Sequence, residues 1–109
     1  MKKAVFIQDQ DFERVIREHP LVIVVFIVSW CGLSQEISPL LNQLADDYQE
    51  QVKVFKMDII KNKQIAERFK INFLPNIFYF KNGERVLNLV GLLSYEVMSR
   101  QLEKLLYKP

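Results

Sequence analysis

The residue best suited to chemistry in this sequence is its single cysteine, Cys31. It stands in the segment Trp30-Cys31-Gly32-Leu33-Ser34. A cysteine thiolate attacks disulfides, and a serine three residues later has no comparable reactivity toward sulfur. Because one cysteine cannot form a disulfide within the chain, disulfide chemistry at Cys31 has to involve a second molecule.

The elements predicted around Cys31 favour the anionic form of its sulfur. The apolar, β-branched run Leu21–Val28 precedes it and is typical of a strand covered on both faces. An amphipathic pattern from about residue 31 to residue 49 predicts a helix. Free N–H groups at a helix start stabilise an anion, and we expect the Ser34 hydroxyl to donate a hydrogen bond toward the sulfur. The alternative is a small, buried apolar cysteine.

The rest of the sequence offers little other chemistry. The only histidine, His19, is followed by Pro20 and is far from Cys31 along the chain. One cysteine and one histidine lack the spacing of a metal site, and three isolated glycines form no phosphate-binding loop. Since 15 basic and 13 acidic residues give a net charge of +2, charge makes no case for nucleic acid or an anionic membrane. We expect no metal and no cofactor.

Composition places the chain among ordinary globular proteins. Half of its 109 residues are apolar, which is enough for a core without disulfides and for one domain over residues 1–109. The longest apolar run, Leu21–Val28, is too short to cross a bilayer as a helix. A lone thiol is typical of a reducing compartment, so we expect a cytoplasmic protein.

The hydrophobic pattern predicts alternating strands and helices in the order β-α-β-α-β-α-β-β-α. This order predicts an α/β fold in which a central mixed five-stranded sheet is flanked by four helices. The predicted elements are a strand at 3–7, a helix capped by Asp9, the strand Leu21–Val28, the helix at 31–49 with Pro39 inside it, the strand Val52–Asp58, a short helix capped by Asn62, the strands Ile77–Phe80 and Arg85–Val90 joined at Asn82-Gly83, and a last helix capped by Ser94.

These features resemble thioredoxin over essentially the whole chain, and the protein is identified as a monothiol, thioredoxin-like member of that family. The resemblance implies the thioredoxin fold. It rests on five motifs in register: Ser29-Trp30-Cys31-Gly32 after the apolar strand, Pro39 eight residues after Cys31, Ile71-Asn72-Phe73-Leu74-Pro75 at the family's cis-proline loop, Phe80-Lys81-Asn82-Gly83-Glu84 at its hairpin, and Val90-Gly91 ahead of Ser94.

The departures from the family pattern lie at the reaction centre. Where thioredoxins have Cys-Gly-Pro-Cys, this chain has Cys31-Gly32-Leu33-Ser34, so the resolving cysteine is a serine. The family's buried acid aligns with Val25, and its basic residue after the second cysteine aligns with Gln35. Several departures together favour a natural monothiol variant over a thioredoxin in which only the resolving cysteine was replaced in order to trap clients. Lys56 matches the family's buried lysine but lacks its partner, so it reaches solvent, pairs with Asp58, or loses its charge on burial.

The resemblance implies thiol–disulfide exchange in which Cys31 forms a mixed disulfide with a protein client. Ser34 is inactive as a resolving residue, so an external thiol such as glutathione completes the exchange. The backbone of Leu74 would pair with an extended client segment, with Pro75 in the cis form. We call the residues expected to surround the thiol the predicted client surface: Trp30, Gly32, Leu33, Leu74, Pro75, Gly91 and Leu92.

A second function stays open beside thiol exchange. The same apolar groove would serve a redox-inactive or weakly active, chaperone-like binding module in which Cys31 is dispensable. The missing thiol at Ser34 and the missing acid at Val25 are the features that favour it. The two functions differ in whether client binding survives the replacement of Cys31.

Overall fold

The structure is a computed structural model that describes residues 2–107, and within them strands and helices alternate as the hydrophobic pattern predicts. None of the helices in this range has the length and apolar character needed to cross a membrane. The elements are β1 (Val5–Phe6), α1 (Phe12–Glu18, preceded by a 3-10 turn at Asp9–Asp11), β2 (Leu21–Ile27), α2 (Gly32–Asp47), β3 (Lys53–Asp58), α3 (Lys63–Arg68), β4 (Asn76–Lys81), β5 (Glu84–Val90) and α4 (Tyr95–Tyr107).

The five strands form one sheet in the order β1-β3-β2-β4-β5. β1 and β2 both run parallel to β3, whereas β4 is antiparallel to β2 and β5 is antiparallel to β4. Parallel neighbours need long crossover connections, and these are supplied by α1 and α2. The prediction of a mixed five-stranded sheet with four helices is therefore confirmed.

The central strand β2 is buried along its entire length, because each of its faces is covered by a separate apolar cluster. Ile23, Val25 and Ile27 pack toward α2 and α4. Val24 and Phe26 pack on the opposite face with α1 and α3. A fully buried side chain of this size stabilises the fold by about 1.5–3 kcal/mol. This packing fixes the end of β2, from which the chain continues to Cys31.

The hairpin turn between β4 and β5 and the cap of α4 form as their residue types predict. Asn82 and Gly83 have φ angles of 53° and 85°, and two positive φ angles are what a tight two-residue hairpin requires. Ser94 caps α4, since its hydroxyl accepts a hydrogen bond from the Val97 N–H at 3.2 Å.

The helix caps predicted at Asp9 and Asn62 are exchanged in the structure. Asp9 does not cap the helix that follows it but accepts hydrogen bonds from the N–H groups of Gln64 and Ile65 in α3, at 3.2 and 3.1 Å. Asn62 precedes α3, yet its side chain binds the Asp9 N–H at 2.8 Å and the Asp58 carbonyl at 2.9 Å. A carboxylate complements the positive helix end better than an amide does, which explains the exchange.

Candidate functional site

Cys31 is the N-cap residue of α2, with extended backbone angles of φ −85° and ψ 143°. Its N–H donates to the Val28 carbonyl at 3.0 Å, and its own carbonyl accepts from the Ser34 N–H at 3.0 Å. These bonds close the turn that links β2 to the first turn of α2. Cys31 is partly exposed rather than buried, and it lies at the positive end of a helix.

Ser34 does not support the sulfur of Cys31 in the way predicted. Its hydroxyl donates to the Val28 carbonyl oxygen instead, and its side chain is only 4% exposed. A carbonyl oxygen is a much stronger acceptor than sulfur, which accounts for the choice of partner. The residue at the resolving position therefore ties α2 to the end of β2.

Asp58, at the end of β3, holds the chain just ahead of Trp30. Its carboxylate accepts the Ser29 hydroxyl at 2.5 Å and the Ser29 N–H at 3.1 Å. It also accepts the N–H groups of Ile60 and Lys61, at 2.8 and 3.3 Å. Burial alone raises the pKa of Asp58, but these hydrogen bonds from Ser29, Ile60 and Lys61 outweigh it and bring the pKa below its ordinary value. The ionised carboxylate thus joins two loops beside the thiol.

The Asp58 contacts lead to a prediction about stability and its dependence on pH. We expect Asp58→Asn to lower the free energy of unfolding at pH 7 by about 2 kcal/mol, because an amide replaces an acceptor for several donors. Since the folded pKa lies below the ordinary value of 3.8, the contribution is complete above that value and is lost as the pH falls through the folded pKa. Urea unfolding at pH 7 and pH 3 measures the difference.

The matched control for Asp58→Asn is Glu50→Gln, an equal loss of charge at an exposed side chain. We expect this control to leave the free energy of unfolding within about 0.5 kcal/mol of the parent at both pH values. An Asp58→Asn protein as stable as the Glu50→Gln protein at pH 7 would contradict the role given to the carboxylate.

Lys56 lies beside Val25, its partner in the pairing of β3 with β2. Val25 is fully buried, so an apolar core side chain stands where the family has its acid. The ammonium of Lys56 lies 4.4 Å from the centre of the Phe6 ring, and burial lowers its pKa. Lys56 forms no ion pair with Asp58, so the second of the three outcomes expected for Lys56 is not observed.

The predicted client surface presents large apolar side chains to solvent. Trp30 is 79% exposed, and Leu33 and Leu92 are 39% and 42% exposed.

The peptide bond between Leu74 and Pro75 is cis, and the Pro75 carbonyl accepts the Gly91 N–H at 2.8 Å. Gly91 has a φ angle of +102°, which a side chain at that position would disfavour. Gly32 is exposed, whereas Leu74 is half-buried and Pro75 is buried.

Two features of this region were missed in the sequence. Phe73 is 70% exposed directly before Leu74, and an aromatic residue in a loop next to that proline was the available signal. The sequence suggests Asp58 only as a partner for Lys56, although its position at the end of the strand beside β2 indicates contact with the segment after β2.

His19 and Cys31 lie at opposite ends of the central strand, because His19 precedes β2 and Cys31 follows it. A seven-residue strand separates such positions by roughly 23 Å, which rules out a cysteine–histidine pair. Over the part of the chain that the structure describes, no group of three or more His, Cys, Asp or Glu side chains is arranged to hold a metal ion.

A family model and two curated relatives that match this chain are thioredoxins. The Thioredoxin family model matches residues 3–104. Thioredoxin 1 of Synechococcus elongatus is 31% identical over 105 residues, which cover 95% of this chain and 98% of the relative. A thioredoxin of Staphylococcus epidermidis is 33% identical over 98 residues, covering 90% of this chain and 93% of the relative.

Solved structures share the fold at lower sequence identity. A mutant thioredoxin from Halobacterium salinarum NRC-1 superposes with a TM-score of 0.89 at 24% identity, over 98% of this chain and 94% of that one. A chain from a structure of the thiol-resolving mechanism in yeast mitochondrial 1-Cys peroxiredoxin via glutathione/thioredoxin systems gives a TM-score of 0.83 at 20% identity, covering 93% and 94%. At these identities the likeness establishes the fold alone.

Proposed function

Because the chain belongs to the thioredoxin family, whose members are thiol–disulfide oxidoreductases, we propose that it exchanges disulfides through Cys31 alone. The Cys31 thiolate attacks one sulfur of a client disulfide, and the other client sulfur leaves as a thiolate. The product is a mixed disulfide between Cys31 and the client. The observation that carries the proposal is the partly exposed cysteine, Cys31, at the N-cap of a 16-residue helix.

Resolution of the mixed disulfide falls to a thiol from outside the chain. Ser34 stands at the position of the family's resolving cysteine, but its side chain is buried and its hydroxyl is bonded to the Val28 carbonyl. A serine hydroxyl ionises far less readily than a thiol and does not displace sulfur productively. Glutathione or another small thiol therefore releases the client in this proposal.

The proposed partners are proteins that carry a disulfide or a reactive thiol, and the proposed location is the cytoplasm. An extended client segment would lie on the predicted client surface and pair with the backbone of Leu74. Trp30, Leu33 and Leu92 supply exposed apolar area there, and exposed apolar patches favour protein partners. The proposed unit is one domain over residues 1–109.

The direct test is capture of a disulfide-bonded protein, with insulin as the probe. Intact-mass analysis is expected to show one whole insulin molecule attached at Cys31 when no small thiol is present, because one exchange breaks only one of the disulfides that join its two chains. Addition of glutathione is expected to remove the adduct and free both client thiols. A reduced protein that forms no adduct at any insulin concentration would overturn the proposal.

The role of Trp30 in client binding leads to a prediction of its own. We expect Trp30→Ala to slow insulin capture about tenfold, since an exposed tryptophan beside the thiol has the character of a binding hot spot. The free energy of unfolding should change little, because Trp30 is 79% exposed. The rate of capture is measured by quenching the reaction at timed intervals, and thermal unfolding measures stability.

Tyr107→Ala is the control for Trp30→Ala, because it removes an aromatic side chain of similar exposure, 73%, from the end of α4. Capture by this control is expected to match the parent. Equal capture rates for the two variants would show that Trp30 takes no part in client binding.

One observation favours a binding module as the second candidate. Trp30 and Phe73 are exposed by 79% and 70%, and this apolar area does not depend on the thiol. In this second function the protein holds unfolded or extended clients without covalent capture.

A further inference from the structure

A crevice of about 170 Å³ opens beside the first turns of α2. We call it the Lys56 crevice, after the one charged side chain among the described residues that line it. Its other walls include Phe6, Ser29, Ser34 and Ser38. Because a water molecule occupies about 30 Å³ in the liquid, the crevice has room for one end of a small organic molecule.

Lys56 lines this crevice, and none of the described acidic residues forms an ion pair with its ammonium. Val54 and Lys56 point to the same side of β3. Val54 belongs to the apolar core under α2, whereas Lys56 lies outside that core and is half-buried. Within residues 2–107 Lys56 forms no ion pair, and its neighbour is the Phe6 ring at 4.4 Å. Asp58, the next residue on that side of β3, has its carboxylate occupied by Ser29 and by the loop that follows.

The hydroxyl groups of the crevice are already committed as donors. The Ser29 hydroxyl donates to Asp58, and that of Ser34 donates to the Val28 carbonyl. The Ser38 hydroxyl donates to the Ser34 carbonyl at 2.7 Å. The charge belongs to Lys56, and the donors that remain are its ammonium and the side-chain amide of Gln35, which also lines the crevice. The ligand that best fits the crevice is therefore an anion with hydrogen-bond acceptors.

The crevice lies next to the thiol segment but outside the predicted client surface. Ser29 and Ser34 line the crevice and bracket the segment 30–33, whereas no residue of the client surface is among its walls. A thiol that attacks Cys31 must approach opposite the client sulfur, because the three sulfurs line up during exchange. The Ser34 side of Cys31 is the side from which a resolving residue would attack.

We propose that the Lys56 crevice binds the carboxylate of the small thiol that resolves the Cys31 mixed disulfide. The inference rests on the proposed thiol exchange and specifies the class of its second substrate, a low-molecular-weight thiol that carries a carboxylate. The first such thiolate, RS⁻, attacks the Cys31 Sγ, the bond to the client breaks, and the client sulfur leaves as a thiolate. A second RS⁻ attacks the sulfur of R, which yields RSSR and returns Cys31 as a thiolate.

The test compares 3-mercaptopropionate with its methyl ester, which keeps the thiol and the chain length but lacks the charge. Both are added to the purified Cys31–insulin adduct, whose freed insulin thiol has first been alkylated so that it cannot reverse the exchange. Release of insulin is followed by mass. Each rate is divided by the rate of the same reagent with a small uncharged disulfide, which corrects for thiolate concentration and nucleophilicity. After this correction we expect the acid to release insulin about fivefold faster than the ester, as one partly exposed ion pair allows. In Lys56→Met the two rates are expected to be equal.

Two further variants separate a local contact from the overall charge. Lys56→Arg should retain the preference for the acid, and Lys53→Met, which removes a charge three residues earlier on β3, should retain it as well. A parent protein that shows no preference overturns the inference, even when Lys56→Met does not fold. Equal loss of the preference in Lys53→Met also overturns it. Failure of the adduct to form is a separate result, which refutes the proposed function itself.

Discussion

Replacement of Cys31 by alanine is expected to abolish covalent capture of insulin, with a loss of at least about a thousandfold in rate, because no other group in the chain supplies a thiolate. The fold should be retained. Cys31 makes no side-chain hydrogen bond at the N-cap of α2, and its backbone bonds to Val28 and Ser34 do not depend on the sulfur. Intact mass measures capture, and thermal unfolding measures the fold.

The matched control for Cys31→Ala is Ser34→Ala, which keeps the thiol and removes the hydroxyl bonded to Val28. This control should capture insulin, with a stability loss of about 1 kcal/mol for one buried hydrogen bond. Non-covalent client binding separates the two candidate functions. If Cys31→Ala binds reduced, unfolded clients as tightly as the parent does, the binding module is favoured and the thiol is dispensable.

The fold was accessible from the sequence because its signals are local and repeated. The unbroken apolar run of β2 indicates a strand covered on both faces, and both clusters are present. The residues Asn82-Gly83 define their turn through φ angles that few other residue pairs adopt. Such signals depend on short segments of the chain, so they can be recognised without knowledge of tertiary contacts.

The hydrogen bonds of the site were predicted less well, because each polar group had several partners within reach. The sequence predicts a bond from Ser34 to the Cys31 sulfur, but the chain just after β2 brings a stronger acceptor, the Val28 carbonyl, within reach of the Ser34 hydroxyl. Asp9 was expected to cap the helix that follows and instead caps α3, more than 50 residues away. Partners of this kind are set by the packing of separate elements, which a single sequence does not display.

Replacement of Ser34 by cysteine is the second large effect that we expect. A thiol at position 34 is on the first turn of α2, whose N-cap is Cys31, so its attack on the mixed disulfide becomes intramolecular. Linked groups reach effective concentrations in the millimolar range or higher. We therefore expect the insulin adduct of Ser34→Cys, held without any small thiol, to decay at least about a hundredfold faster than the adduct of the parent.

The rate of that decay also reports on the other departures at the reaction centre. The side chain at position 34 is buried, and Val25 supplies no carboxylate to take the proton from a buried thiol, so release should remain pH-dependent and become faster as pH rises. Ser38→Cys, one turn further along α2, serves as the control, and its adduct should persist. If the Ser34→Cys adduct lives as long as the Ser38→Cys adduct, a thiol at position 34 does not reach the Cys31 sulfur. The missing sulfur at position 34 would then not explain why the parent depends on an outside thiol.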